Sequence, residues 1–284
     1  MAYTTTDAED GSSGVSVSSD GFATGTSLGD INNTGGANNY VAWQWKCNGG
    51  TTTSFTESGN NPGGTIQTNT TAGFSIITTT GTGNTGTIAH GLGAVPEIII
   101  SKQRSNAENW AVYHGSNTSA PETEILTLNT TDATADNANG YNDTAPTSSV
   151  FTVHTKNEVN TDARTYVHYV FAPIQGYSKF GSYTGNANAD GPFVYTGFAP
   201  AWVMVKNTAS AIGWVIQDNT RSSTNPRNKR LFANITDAEA TDTDFDFLSN
   251  GFKLRNSGNT PNKSGEVYIY MAFAESPFVS SEGV

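Results

Sequence analysis

Four histidines, His90, His114, His154 and His168, are the first residues to question for chemistry. An imidazole acts as a base or a metal ligand only beside a second group at fixed spacing, and no His-x-Glu or Cys-x-x-Cys pattern accompanies any of them. They read as structural or surface residues. Carboxylates gather at Glu122 and Glu124, at Asp132 and Asp136, and at Asp242, Asp244 and Asp246. Glycoside hydrolysis needs two acids held across a sugar, and the matching loops of the chain share no acid, so these read as solvated loop charges. The stretch Asn186-Ala-Asn-Ala-Asp-Gly191 alternates oxygen side chains like a calcium loop, but its first position is neutral and Gly197 stands where a bidentate Glu belongs. A hairpin turn is the better reading there, and Asp136-Asn-Ala-Asn-Gly140 fares the same. Lys102 and Lys206 end two related apolar runs and are expected to carry their ammonium groups from a buried strand to its rim. No catalytic residue, metal ligand or cofactor site is expected, and the chain reads as a non-enzyme.

The elements that position these residues recur. Gly73-Phe-Ser-Ile-Ile-Thr-Thr-Thr-Gly81 returns as Gly176-Tyr-Ser-Lys-Phe-Gly-Ser-Tyr-Thr-Gly185. Gly73 precedes Lys102 by 29 positions, Gly176 precedes Lys206 by 30, and each Lys precedes a Trp, Trp110 or Trp214, by 8. A closing landmark, Tyr166-Val-His-Tyr-Val-Phe-Ala172, returns as Tyr268-Ile-Tyr-Met-Ala-Phe-Ala274. Two landmarks in register over that length define a repeat. The closing landmark occurs a third time as Tyr40-Val-Ala-Trp-Gln-Trp-Lys46, with no opening landmark before it. The order expected is therefore an N-terminal half-repeat with linker, 1–72, then repeat units at 73–175 and 176–284.

Only 14% of residues are charged, 30 are Gly, and Thr, Asn and Ser are abundant. That mixture is poor in helix formers and rich in strand and turn formers. Short strands at regular spacing with turn signals predict an all-β chain of two tandem antiparallel β-sandwiches, jelly-roll-like, with Trp110, Trp214, Phe171 and Phe273 as repeat-equivalent core residues. Asn48 to Asn69 shows no hydrophobic period and reads as a linker; Ile235 to Phe247 carries too many Thr and Asp for a helix. A net charge of −11 argues against nucleic acid as a partner. The one basic cluster, Arg221 to Arg230, reads as a solvated loop. Cys47 is the single cysteine, so stability must come from burial or assembly. The first residues lack the basic start and apolar run of a secretory signal, and no run is long enough to cross a bilayer.

The succession Ala89-His-Gly-Leu-Gly-Ala-Val-Pro96, Lys102 with Trp110-Ala-Val-Tyr-His114, Asn142-Asp-Thr-Ala-Pro146 and Phe247-Leu-Ser-Asn-Gly-Phe-Lys253, together with the paired Gly landmarks, resembles the repeat units of a family of tailed-phage virion proteins common in aquatic phages. The resemblance implies a tail-fibre or structural protein of a virion, released by lysis, with copies of itself and other virion proteins as partners, and a host-surface glycan as a possible ligand. A protomer of an extracellular filament joined by exchanged strands is the rival reading, and a carbohydrate-binding or carbohydrate-active protein the third. Within the half-repeat, Tyr40, Val41, Trp43 and Trp45 form a strand whose aromatics need cover. They are expected to drive oligomerisation by packing on a neighbouring subunit, or else to fold back on the first full unit.

Overall fold

The computed structural model describes residues 5–9, 14–18, 21–25, 39–47 and 52–277. The first four residues, on which the signal reading begins, and the start of the expected linker, 48–51, lie outside the described residues.

Strands β1 (Val15–Val17) and β2 (Phe22–Thr24) form a separate antiparallel pair. The first unit and the segment before it supply β3 (Thr53–Phe55), β4 (Gly63–Asn69), β5 (Phe74–Thr80), β6 (Gly86–Ala89), β7 (Ile98–Gln103), β8 (Trp110–His114), β9 (Glu124–Thr127), β10 (Ala135–Asp136), β11 (Val150–Val153) and β12 (Thr165–Phe171). The second unit supplies β13 (Ser178–Thr184), β14 (Phe193–Tyr195), β15 (Pro200–Asn207), β16 (Val215–Asp218), β17 (Arg227–Phe232), β18 (Ala240–Leu248), β19 (Gly251–Leu254) and β20 (Val267–Ala274). All pairings are antiparallel. The chain is all-β with sandwich architecture, as its composition predicts.

Part of the topology repeats, although β3 and β4 extend only the first sheet and β18 joins β14 and β19 to the second. In the first unit the order β5-β12-β7-β8-β9 forms the main sheet and β6 pairs with β11; in the second, β13-β20-β15-β16-β17 and β14-β19 do the same. The closing landmark, β12 or β20, is thus flanked in each sheet by the opening strand and the apolar run. Lys102 lies opposite Val167 and Lys206 opposite Ile269; Phe171 lies opposite Ile98 and Phe273 opposite Trp202. The N–H of Trp110 donates to Asn129 Oδ1 and that of Trp214 to Asn234 Oδ1, both at 2.8 Å. These pairs fix Trp110 with Trp214 and Phe171 with Phe273 as matched positions. The opening strands differ by one residue: Phe74 lies opposite Phe171, but Ser178 rather than Tyr177 lies opposite Phe273. An Ile174–Ser178 bridge takes up the extra residue.

The main sheets are buried on both faces, which is why their strands read as continuous apolar runs. Side chains alternate along each strand. Ile99, Ala111, Tyr113 and Val170 face the first unit's own core with Ile88 and Phe151, while Val203, Val205, Val215 and Tyr270 do so in the second with Phe245 and Phe252. The opposite faces, Ile98, Trp110, Val112 and Phe171 against Trp202, Met204, Trp214, Ile216 and Phe273, meet in a third core between the units.

Three sequence expectations are corrected. The stretch read as a linker is largely a hairpin, β3 with β4, and β4 pairs along the whole of β5. Its strands show no apolar alternation because they are only half-buried and are joined through hydroxyls, Thr65 to Thr78 at 2.6 Å and Thr68 to Ser75 at 2.9 Å. The Arg221 to Arg230 stretch is a turn, exposed at 223–226, only as far as Arg227, where β17 begins, and its arginines are bound by ion pairs: Arg221 joins Asp218 and Glu239, and Arg230 joins Asp242 and Asp244. Lys102 and Lys206, expected at the rim, are completely buried.

Candidate assembly site between the repeat units

The buried lysines are held by backbone. Lys102 Nζ donates to the carbonyls of Glu108, at 2.9 Å, and Thr6, at 3.0 Å. Lys206 Nζ donates to the carbonyls of Ile212, at 2.6 Å, and Thr131, at 3.0 Å. Glu108 and Ile212 belong to the same hairpin as the lysine. Thr6 and Thr131 come from elsewhere, each from the element that precedes the unit receiving it. A backbone bond follows in each case, Glu9 N–H to Arg104 O at 2.8 Å and Thr134 N–H to Thr208 O at 2.9 Å. Burial lowers both lysine pKa values, that of Lys206 to about 8, with Asp132 opposing the shift. Three carbonyl acceptors, the third being Ser210 O at 3.5 Å, match the three protons of an ammonium and hold Lys206 where a rim position would have left it in water.

The segments that cap these lysines share a sequence that reading for catalytic residues passed over: Thr6-Asp-Ala-Glu9 and Thr131-Asp-Ala-Thr134, with a third copy at Thr236-Asp-Ala-Glu239. The signal was a four-residue polar motif in loops, below the length at which the landmarks stand out. We call these segments latches. The first runs from the N-terminal segment to the first unit, and the second from the first unit to the second. The third, Thr236 to Glu239, stands exposed.

A second contact repeats in the same direction. His114 Nε2 donates to the carbonyl of Tyr270 in the next unit, at 3.1 Å, and its Nδ1 accepts the Ser116 N–H. Asp218 occupies the matched position in the second unit and accepts the Thr220 N–H; its Oδ2 receives Trp43 Nε1 at 3.3 Å. The contacts therefore run from the N-terminal segment to unit one, to unit two, and back to the N-terminal segment.

Tyr40 to Lys46, the third copy of the closing landmark, packs its indoles against the core between the units. Trp45 packs edge-on against Trp202 and Phe273, both at 5.3 Å, Trp43 lies 6.2 Å from Trp202, and the Arg221 guanidinium covers Trp43 at 5.5 Å. The segment expected to seek a neighbouring subunit or the first full unit thus lies between the units, its indoles on the second. Val41, Trp43 and Trp45 point inward, whereas Tyr40, Ala42, Gln44 and Lys46 are exposed. Beside this segment is an apolar cleft of about 400 Å3, walled by Trp43 and Trp45, by Ile100 and Trp110 of unit one, and by Trp202 and Met204 of unit two.

The other candidates resolve into structure. His168 Nδ1 stands 2.8 Å from Ser101 Oγ and its Nε2 3.0 Å from Thr79 Oγ1, but the group is wholly buried in the first unit's core, and burial drives the imidazole pKa down to about 3. A serine and a histidine sealed from substrate do no acyl transfer. His90 accepts the Leu92 N–H through Nδ1, and Thr196 does the same for Phe198, so a hydroxyl replaces the ring at the matched position. His154 Nδ1 lies 2.6 Å from Thr85 Oγ1. Asp190, the one acid of the calcium-like stretch, pairs with Lys253 at 2.9 Å. Glu124 and Asp136 face each other across the β9–β10 ladder, Glu122 lies in the turn before β9 and Asp132 in the second latch. Asp246 pairs with Arg255, and Asp244, beside Arg230, is buried enough that its pKa rises to about 6. Among the described residues no group of three or more His, Cys, Asp or Glu could hold a metal ion, and no helix is long and apolar enough to cross a membrane.

Residues 1–277 match a family described as a domain of unknown function, DUF7483. The chain belongs to that family. No curated protein and no solved structure matches it. The family match spans the N-terminal segment and both units together.

Proposed function

We propose that the chain is a non-enzymatic structural subunit of a virion, a tail-fibre or head-decoration protein, that assembles through β-strand contacts. The observation that carries the reading is the apolar cleft of about 400 Å3 walled by the half-buried Trp43 and Trp45 of the N-terminal segment and by both units. Apolar surface left in an open cleft marks a place for association with another polypeptide. The resemblance to phage repeat units supplies the setting.

An adhesive part of the role has its own observation. Phe193 and Tyr195, on one face of β14, are 45% and 58% exposed, and Lys179 Nζ lies 5.0 Å from the Tyr195 ring centre. Exposed rings two residues apart beside a cation suit stacking on a sugar. The experiment that tests the main reading is sedimentation of the purified chain across concentration, with immunogold labelling of phage particles by antibody to it. Concentration-dependent assembly and labelled particles are expected. A monomer at every concentration, with unlabelled particles, would remove it.

A further inference from the structure

The two opening strands differ in what lies outside them. In unit one β4 pairs with all of β5, from Asn69 opposite Phe74 to Gly63 opposite Thr80. In unit two β13 pairs with β20 along its whole length and, among the described residues, has no strand on its other side. Ser182 and Thr184 are exposed, and the backbone of Phe180, Ser182 and Thr184 bonds nothing outside the ladder with β20 among the described residues. The strands that end the two large sheets elsewhere are short, β3 with 3 residues, β10 with 2 and β14 with 3, and short edges resist pairing with other chains. β13 has 7 residues, no proline and one charge, Lys179, whose ammonium is turned to the Tyr195 carbonyl at 2.9 Å. We propose that two copies of this chain join β13 to β13, antiparallel across a two-fold axis at Ser182, so that the second-unit sheets of the pair become continuous.

The backbone sets the register. Tyr177 O accepts the Ala274 N–H at 2.8 Å, and bonding groups alternate sides along an antiparallel strand. Tyr177, Lys179, Gly181 and Tyr183 therefore turn their N–H and C=O groups toward β20, and Phe180, Ser182 and Thr184 turn theirs outward. Ser178 is next in that series, but its N–H is already given to Ile174 O at 2.9 Å. Centring on Ser182 uses every outward residue: Ser182 faces its own copy, and Phe180 of each chain faces Thr184 of the other. A shift either way sets one of them against Ser178 or against Asn186, beyond the strand. Lys179 lies opposite Gly185 in this register, so no like charges meet at the seam of a chain whose net charge is −11. Unit one already makes such a seam. Val167 lies opposite Lys102 and Thr78, and Ile269 lies opposite Lys206 and Ser182, so Thr78 and Ser182 are matched. Thr78 meets Thr65 of β4 hydroxyl to hydroxyl at 2.6 Å, and the two Ser182 side chains meet in the same way.

The inference rests on the structural-subunit reading and names the contact through which copies meet. Its test is sedimentation of the full chain and its variants, with cross-linking. The unaltered chain is expected to form dimers. Ser182→Pro, which removes an N–H that β20 does not use, is expected to give monomers with an unchanged β-sheet spectrum. Ser182→Cys is expected to form a disulfide-linked dimer on mild oxidation, because facing Cα atoms of a bonded antiparallel pair lie about 5.5 Å apart, within disulfide reach. Cys47 is buried, so the cross-link reports the new thiol. Ser54→Cys, exposed on the short edge β3, is expected to stay unlinked. Dimers of Ser182→Pro, a Ser182→Cys chain that does not link, or linkage through Ser54→Cys in its place would overturn the proposal. If Ser182→Pro loses its β-sheet spectrum, the two cysteine variants decide alone. Assembly that ignores both Ser182 changes removes this inference and leaves the structural-subunit reading standing; a monomer at every concentration removes both.

Discussion

His114 in the first unit and Tyr270 in the second are joined by a hydrogen bond from Nε2 to the backbone carbonyl, 3.1 Å long and sealed from water. Because Nδ1 is already accepting the Ser116 N–H, the ring is held as one neutral tautomer, and a proton added to Nδ1 would face a donor.

Acid should therefore weaken the contact between the units. Burial lowers the His114 pKa from 6.5 to about 4 and that of His168 to about 3, and lowers that of His90 as well. Between pH 6.5 and about 4 the unfolded chain binds protons that the native chain refuses, so stability falls as pH falls through that window. His114 alone accounts for a loss on the order of 3 kcal/mol. Urea midpoints measured from pH 7 to pH 4 should drop steadily. In His114→Asn, whose amide oxygen can accept the Ser116 N–H as Asp218 accepts that of Thr220, the drop should be shallower.

Asn160 and Asn262 are matched, wholly buried amides that tie the loop after the opening strand to the short turn before the closing strand. Asn160 accepts the Thr82 N–H and donates to Asn84 O at 2.6 Å; Asn262 accepts the Asn186 N–H and donates to Asn188 O, both at 2.8 Å. Replacing either by Leu strands a buried donor and acceptor, each worth about 1–3 kcal/mol. Asn160→Leu and Asn262→Leu should each lower stability by roughly 2–4 kcal/mol in chemical denaturation, whereas Asn84→Ala, which leaves its own carbonyl in place, should change little.

Lys206→Met keeps the length of the side chain and removes the donor from three carbonyls. Loss of the bonds to Thr131, Ser210 and Ile212 should destabilise by about 2 kcal/mol and free the second latch. Faster amide exchange at Thr134, whose N–H bonds Thr208 O across the units, is the local readout.

Trp45→Ala should cost about 2 kcal/mol, less than a fully buried tryptophan, since the indole is half-buried. It opens the cleft toward Trp202 and Phe273, so binding of an apolar fluorescent dye should rise. Removing residues 1–47 tests assembly directly: a chain that keeps its β-sheet spectrum but loses its oligomers places the contact in the N-terminal segment.

The all-β class could be read from residues alone, because it rests on local alternation and on turn signals at regular spacing. The hairpin at Thr53 to Asn69 could not. Its strands are half-buried and joined by hydroxyls, and such strands leave no apolar period. Nor could the fate of Lys102 and Lys206, because an ammonium at a strand end reaches water unless another segment covers it, and the covering carbonyls of Thr6 and Thr131 lie 96 and 75 positions away. The same holds for Trp43 and Trp45. Sequence determined that they need cover; only the tertiary structure decided that Trp202 and Phe273 provide it, since which faces of two similar sheets meet depends on contacts between units that no spacing within a unit records.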